Sequence, residues 1–248
     1  MNASPLMVEG VSHRFGKLEV LRDLWMEVGK GEFLGVVGPS GCGKTTLLNL
    51  LSGHNHPTEG MVIRAGRTRM VYQHDGLLPW LTAAQNIDLG LRELRDSPER
   101  RHQLEDLLEL IRLKGFAGHY PHQLSGGMRQ RVELARAMAG DTDVLLMDEP
   151  FSALDYQTRL QMRRELIRML RERPRTVVFV THDIEEAAHL ADRVIVLSGG
   201  PATVHAELRI DTPQPRSVTH PAVVHAVERI LAELGLESAP EEPVGVHA

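Results

Sequence analysis

An α/β fold built on a mainly parallel sheet, with a helical block inserted into it, is the class this sequence predicts. Three observations carry it. A short apolar strand pattern, Phe33-Leu34-Gly35-Val36-Val37, runs into a glycine-rich loop and then a helical stretch, Thr46-Leu47-Leu48-Asn49-Leu50-Leu51. Apolar strand patterns return at Val144–Met147, Thr176–Val180 and Val194–Leu197, separated by helical stretches at about 157–172 and 184–190. Between the two sets, residues 85–113 are rich in Leu, Glu and Arg, with Leu104, Leu107, Leu108 and Ile111 at helical spacing. Strand–helix alternation lays helices on a parallel sheet, and its interruption places a helical subdomain within the core.

Residues 1–73 alternate short strands (Leu6–Val8, Val20–Val28, Phe33–Val37, Met61–Ile63, Met70–Tyr72) with glycine-rich turns. Ser97-Pro98-Glu99-Arg100 reads as a helix start, with proline in the first turn where its missing N–H costs nothing. A second helix is expected to begin just after Ser125-Gly126-Gly127 and to run to about Ala139. Beyond Arg209, Asp211-Thr212-Pro213-Gln214-Pro215 reads as a linker, followed by a helix near 220–235. The tail through Pro240 and Pro243 is expected to be disordered at its end.

Composition narrows the function classes. With 248 residues, 42% of them hydrophobic, the chain can bury a real core. A net charge of −5 with no basic run interleaved with aromatics does not indicate a nucleic-acid surface. Cys42 is the only cysteine, which excludes an internal disulfide and fits a reducing compartment. Met1–Gly10 lacks a basic stretch followed by an apolar core, and no apolar run approaches the ~20 residues of a membrane helix. The expectation is a cytosolic chain whose membrane role, if it has one, comes through a partner.

Residues 38–46, GPSGCGKTT, match the phosphate-loop pattern G-x-x-x-x-G-K-[ST]. Gly38, Gly41 and Gly43 let backbone N–H groups close around phosphate oxygens, with Pro39, Ser40 and Cys42 at positions where only backbone geometry is demanded. Lys44, Thr45 and Thr46 open a helix whose positive end faces the same anion. The strand Val144-Leu145-Leu146-Met147 delivers Asp148 and Glu149 to the sheet edge that also carries this loop. Asp148 is then placed to hold Mg²⁺ with Thr45, and Glu149 to take a proton from the water that attacks a γ-phosphate. Thirteen histidines raise a metal question, chiefly His54 with His56 and His119 with His122. Without cysteine partners or a helical H-x-x-x-H, these read as loop histidines.

LSGGMRQR at 124–131, downstream of the phosphate loop and upstream of the strand-borne Asp-Glu, completes a set that resembles the ATP-binding-cassette ATPases over roughly residues 6–210. The resemblance implies a P-loop NTPase core with a mixed, mainly parallel sheet, an N-terminal antiparallel β part and an inserted helical subdomain. It divides the chain into a cassette, 1–210 (core 1–83 and 140–210, helical subdomain about 84–139), and an extension, 211–248. It implies that Ser125, Gly126 and Gly127 contact the γ-phosphate held by a second copy, so that ATP joins a homodimer. Gln73 resembles the glutamine that touches Mg²⁺ or water, and Ser152-Ala153-Leu154-Asp155 the loop that crosses the dimer interface. His182 resembles the histidine that bonds the γ-phosphate. Phe15 takes the place of the aromatic that stacks on adenine, with an ordinary core phenylalanine as the alternative.

Within that family, GPSGCGKTTLLNLLSG at 38–53, QHDGLLPWLTAAQNI at 73–87, THDIEEAAHLADRVIVLSGGPATV at 181–204 and DTPQPR at 211–216 resemble import ATPases for taurine, aliphatic sulfonates and nitrate. The implied partners are a separate membrane permease and, through it, an extracytoplasmic substrate-binding protein. The implied location is the cytoplasmic face of the membrane. A non-transport cassette and an exporter cassette are the alternatives. Leu77-Leu78-Pro79-Trp80 is either packing between lobes or part of the surface that receives a membrane partner. A bulky thiol reagent on Cys42 is expected to block ATP binding. Titration with a fluorescent ATP analogue checks this, and full affinity after labelling counts against it.

Overall fold

The structure is a computed structural model that describes residues 4–72 and 76–236. Strands β1 (Leu6–Phe15), β2 (Leu18–Val28) and β3 (Phe33–Val37) lead to helix α1 (Lys44–Ser52), followed by β4 (Glu59–Arg64) and β5 (Thr68–Val71). Helices α2 (Ala83–Asp88), α3 (Pro98–Leu110) and α4 (Gly126–Met138) form the middle of the chain. Then β6 (Val144–Asp148), α5 (Tyr156–Glu172), β7 (Thr176–Val180), α6 (Ile184–Leu190), β8 (Arg193–Leu197), β9 (Val204–Arg209) and α7 (Pro221–Glu233) complete it.

The main sheet has the order β5-β6-β7-β3-β8-β9. Neighbours are parallel from β5 through β8, and β9 joins the edge antiparallel. Every residue of β3, β6, β7 and β8 is buried, because both faces are covered. That is why FLGVV, VLLMD, TVVFV and RVIVL read as continuous apolar runs. Their side chains still alternate. Leu145, Met147, Val177, Phe179, Val194 and Val196 enter one cluster with residues of α2 to α7. Val144, Leu146, Val178, Val180, Ile195 and Leu197 enter the other, against α1 and the antiparallel sheet.

That second sheet has the order β2-β1-β4. Its backbones meet closely at Gly60, where φ is +77° and a Cβ would sit 2.2 Å from the Gly10 carbonyl oxygen, so only glycine fits. Three expected strands are longer than their apolar stretches indicated: Leu6–Val8 grows to Leu6–Phe15, Met61–Ile63 to Glu59–Arg64 and Val20–Val28 to Leu18–Val28. The added residues are mostly polar or exposed, so apolarity could not mark them. β9 lacked a signal for the same reason, since Leu208 is its one buried residue. Leu77 enters the core while Trp80 is exposed, so the apolar string 77–80 divides between packing and surface.

The reading of 211–215 as a linker is corrected. The side chain of Arg216 is 0% exposed, and its guanidinium donates to the carbonyls of Ala188 (3.4 Å) and Ala191 (2.8 Å). Gln214 Nε2 donates to the carbonyls of His189 (2.7 Å) and Leu190 (3.0 Å). The segment is a strap that satisfies the carbonyls left open at the end of α6. Proline content hid this, because the bonds are made by two polar side chains beside the prolines. The expected tail through Pro240 and Pro243 lies outside the described residues.

The other end of α6 is also held. Asp183 caps it by accepting from Glu186 N (2.9 Å), and Asp183 Oδ2 lies 2.6 Å from the buried Arg163 of α5. Glu186 is buried beside them and accepts from Thr181 Oγ1 (2.8 Å). Burial pushes the Glu186 carboxyl up to about 7, against the opposing pull of Arg163 and the Thr181 hydroxyl. Both folded and unfolded chains hold the proton below pH 4.5. Between about 4.5 and 7 the unfolded chain releases it first, so stability falls as pH rises through that window, and above it the full penalty persists. Glu186→Gln is therefore expected to be more stable than the parent by roughly 1–3 kcal/mol at pH 8 and nearly equal to it at pH 5. Urea melts at the two pH values check this, and an equal offset at both refutes it.

Candidate nucleotide-binding site

β3 ends at Val37 and the chain turns through six residues before α1 begins. Gly41 (φ +77°) and Gly43 (φ +113°) adopt the left-handed conformation that side chains disfavour. Gly43 is doubly constrained, because a Cβ there would come within 2.7 Å of Val20 Cγ1 and 2.8 Å of Leu21 Cδ2. It is also the N-cap of α1 and offers no side chain to the first helical N–H groups, and no acid stands in that turn. Those donors and the helix dipole favour an anion.

The Lys44 side chain folds over the loop and donates to the carbonyls of Gly38 (2.8 Å) and Pro39 (3.0 Å). An ammonium has three hydrogens, so one remains for a phosphate oxygen. Thr45 Oγ1 donates to Asp148 Oδ1 at 3.3 Å. Burial raises the Asp148 carboxyl above its usual range and the neighbouring Glu149 carboxylate adds to this, while the Thr45 hydroxyl and the Lys44 charge oppose it. A hydroxyl and a carboxylate that gains from nearby positive charge are hard oxygen donors of the kind Mg²⁺ takes. The two would serve that ion as part of its ligand set. Among the described residues, no group of three or more His, Cys, Asp or Glu could enclose a metal, and the pairs His54–His56 and His119–His122 belong to none.

Glu149 stands directly after β6 at φ +45°, an unusual conformation for a residue with a side chain. Such a position costs about 1–3 kcal/mol and persists where its surroundings fix it. Here Glu149 N donates to the Val180 carbonyl (2.9 Å), and its own carbonyl accepts from Ser152 N (3.2 Å) and Ser152 Oγ (3.0 Å). Glu149 Oε2 lies 3.0 Å from Nδ1 of His182, whose ring is 59% exposed. Asp155 ends the loop that begins at Ser152 and caps α5, accepting from Thr158 N at 3.1 Å.

A cavity of about 330 Å³ is lined by Val20, Ser40, Gly41, Gly43, Lys44, Thr45, Thr46 and Glu149. The structure thus brings most of the expected phosphate-loop residues together with Glu149. Asp148 adjoins them through Thr45, and His182 through Glu149. Val20 is a wall residue that the sequence reading missed, for nothing in a β-strand valine marks it. Phe15 is 53% exposed, which rules out the core alternative. It pairs with Leu18 in the β1–β2 hairpin, whose second strand carries Val20 into the cavity wall, and it meets the His13 ring edge-on at 4.7 Å. Gln73 lies outside the described residues.

Cys42 is buried beneath the loop, and burial pushes its thiol up against the opposing charge of Lys44. A thiol reagent therefore meets a buried group. Ser125, Gly126 and Gly127 do not line the cavity. They form the N-terminus of α4, where Ser125 Oγ accepts from Met128 N (3.3 Å) and no acid stands in the first turn. Gly127 packs against α5, where a Cβ would lie 3.0 Å from Thr158 Cγ2.

Residues 21–152 match the family model described as ABC transporter. The chain is 46% identical over 224 residues to the aliphatic sulfonates import ATP-binding protein SsuB 1 of Rhodococcus jostii, covering 87% of each chain. It is 42% identical over 228 residues to an uncharacterized ABC transporter ATP-binding protein, MJ0412, of Methanocaldococcus jannaschii, covering 86% of this chain and 85% of that one. It is 42% identical over 213 residues to the nitrate import ATP-binding protein NrtC of Synechococcus elongatus, with 81% of this chain matching 32% of that longer one. The solved dimeric structure of a bacterial ABC transporter cassette, MJ0796, superposes with a TM-score of 0.71 at 32% identity, over 84% of this chain and all of the other. The same cassette has been solved as a dimer in a post-hydrolysis state with ADP and Pi. The chain therefore belongs to the ABC transporter family and is one of its ATP-hydrolysing cassettes.

Proposed function

We propose that this chain powers an importer of a small oxyanion, an aliphatic sulfonate, taurine or nitrate, by closing and opening as an ATP-dependent homodimer. The observation that carries this is the Glu149–His182 pair at 3.0 Å, set beside the Lys44 loop, in a chain 46% identical to a sulfonate import protein. The assignment of 1–210 to the cassette (core 1–83 and 140–210, helical subdomain about 84–139) and of 211–248 to an extension belongs to the same reading. Among the described residues no helix is long and apolar enough to cross a membrane. The transmembrane path is therefore assigned to permease subunits, with this chain on their cytoplasmic face and an extracytoplasmic binding protein beyond. Exposed Trp80 belongs to the surface offered to the permease. The non-transport and exporter alternatives draw no support from the sulfonate and nitrate import relatives.

In this reading the loop amides and Lys44 hold the β- and γ-phosphates of ATP, Phe15 stacks on adenine, and Thr45, Asp148 and Gln73 would hold Mg²⁺. Bound there, Mg²⁺ would neutralise charge on the phosphate oxygens. Glu149 accepts the proton of the attacking water. The 3.0 Å contact between His182 Nδ1 and Glu149 Oε2 bears on how the histidine takes part. A neutral imidazole has one N–H, and donation from Nδ1 to Glu149 would commit it. Donation to a γ-phosphate then requires either a protonated ring or release of Glu149. Arrival of the phosphate thus exchanges one acceptor for the other and turns Glu149 toward water. Ser125–Gly127 of the second copy close the site.

Glu149→Gln is expected to bind ATP, to accumulate as an ATP-bound dimer on size exclusion, and to release phosphate about 10²–10⁴-fold more slowly. Turnover near that of the parent dismisses Glu149 as the base. The cargo is tested in proteoliposomes that combine this chain with its permease and binding protein. ATP hydrolysis is expected to rise with taurine, an alkanesulfonate or nitrate, and indifference to all three overturns the cargo assignment.

A further inference from the structure

Between α5 and α6 lies a group of charges that the hydrolysis scheme does not use. Arg163 is 3% exposed, with its guanidinium 2.6 Å from Asp183 Oδ2 and 3.8 Å from Glu186 Oε2. Arg159, one turn earlier, approaches Asp183 Oδ2 at 3.4 Å and also donates to the Leu154 carbonyl at 3.2 Å. Thr181 Oγ1 donates to Glu186 and accepts from Asp183 N at 3.0 Å. His182 is thus flanked by two residues that the cluster grips, while its own ring stands in the open against Glu149.

A purely structural role fits these charges poorly. Buried ion pairs replaced by apolar residues of similar volume leave proteins as stable or more so. Here the surroundings supply apolar neighbours, since Leu166, Ala187 and Ala188 are buried in the same region. The bonding is also incomplete, because Glu186 Oε1 and Arg163 Nε lack hydrogen-bond partners among the described residues. Groups that cost stability and nonetheless fix the residues on both sides of a reactive side chain mark a positioning role.

We propose that Thr181, Asp183, Glu186 and Arg163 form a positioning device that sets the backbone of His182 so that its ring meets Glu149. Through Arg159 and the capped start of α5, the same device ties His182 to the Ser152–Asp155 loop. The position of that loop, which the proposed dimer places at the interface, is thereby communicated to the histidine. This inference rests on the ATPase reading of Glu149 and His182, and Thr181, Glu186 and Arg163 act through those residues without touching ATP.

The test uses the full chain, steady-state ATP hydrolysis and affinity for a fluorescent ATP analogue. His182→Ala is measured first. If turnover survives it, the reading of His182 itself fails, an outcome distinct from failure of the positioning role. Thr181→Val keeps the side-chain shape and removes the hydroxyl that links Glu186 to Asp183. It is expected to lower kcat about ten- to a hundredfold, as misplacement of a reacting group does, while nucleotide affinity and KM stay within about twofold. The double variant Thr181→Val/His182→Ala is expected to be no slower than His182→Ala, because both changes remove one function. Thr181→Val within twofold of the parent, or losses that multiply in the double variant, overturns the proposal. A second pair guards against misfolding. Glu186→Leu leaves Arg163 paired with Asp183, and far-UV circular dichroism checks that it folds. It should lose kcat like Thr181→Val, and Glu186→Gln, which can still accept from Thr181, should restore most of that loss. Equal kcat in the two Glu186 variants also overturns the proposal.

Discussion

The parallel register of three strands is the constraint on which the site depends. Gly35 of β3 and Met147 of β6 both pair with Phe179 of β7, so the three strands end level. Two backbone bonds past the strand ends extend this alignment, from Glu149 N to the Val180 carbonyl and from Thr181 N to the Val36 carbonyl. The phosphate loop, the carboxylates and the histidine therefore leave one edge of one sheet at one height. A slip of one residue in β6 would exchange the faces to which Asp148 and its strand neighbours point, because side chains alternate along a strand. The apolar clusters on both faces of the sheet enforce that register, so the chemistry is positioned by core packing.

Around that edge, conformations and charges recur that cost stability. Glu149 holds a positive φ, Asp148 is a carboxylate raised by burial, and Glu186 is raised further. Each gains from something the fold supplies nearby: the Ser152 turn for Glu149, Thr45 and Lys44 for Asp148, and Arg163 with Thr181 for Glu186. Unfavourable groups concentrated where three loops meet, with satisfied apolar layers on either side, are the pattern expected where function sets the local requirements.

Much of this was legible in the sequence, and the boundary follows the physics. The buried strands announced themselves because double burial requires continuous apolar runs, and Thr176–Val180 is found where it was expected. Ser97-Pro98 and Ser125-Gly126 located helix starts because capping is a local interaction between near neighbours. The phosphate loop was readable for a similar reason: its glycines answer to backbone conformation, which leaves a fixed spacing. β9 and the strap at 211–216 were not readable, since an edge strand with one buried residue has no apolar period and a buried arginine bound to distant carbonyls has no spacing. The Arg163–Glu186 cluster was hidden for the same reason, as α5 and α6 meet only in three dimensions. α2 is a different case, because its capping box, Thr82 with Gln85, was present in the sequence and only its length of six residues kept it below notice.

The division of labour between the two glycine-opened helices follows from their surroundings. α1 opens into a cavity lined by its own loop and Glu149, so its donors serve an anion bound by the same chain. α4 opens elsewhere: Ser125 satisfies one of its first-turn N–H groups, neither Gly126 nor Gly127 lines that cavity, and Gly127 is closed off by Thr158 of α5. On the proposed reading, its remaining donors serve an anion that a second molecule presents. α5 then matters twice over, because it packs against the start of α4 through Thr158 and grips Asp183 beside His182 through Arg159. On the proposed reading, a displacement of α4 by a neighbouring molecule's nucleotide acts on the helix that holds Asp183 beside the histidine. Closure of the dimer and alignment of Glu149 with His182 are, on that reading, coupled through α5.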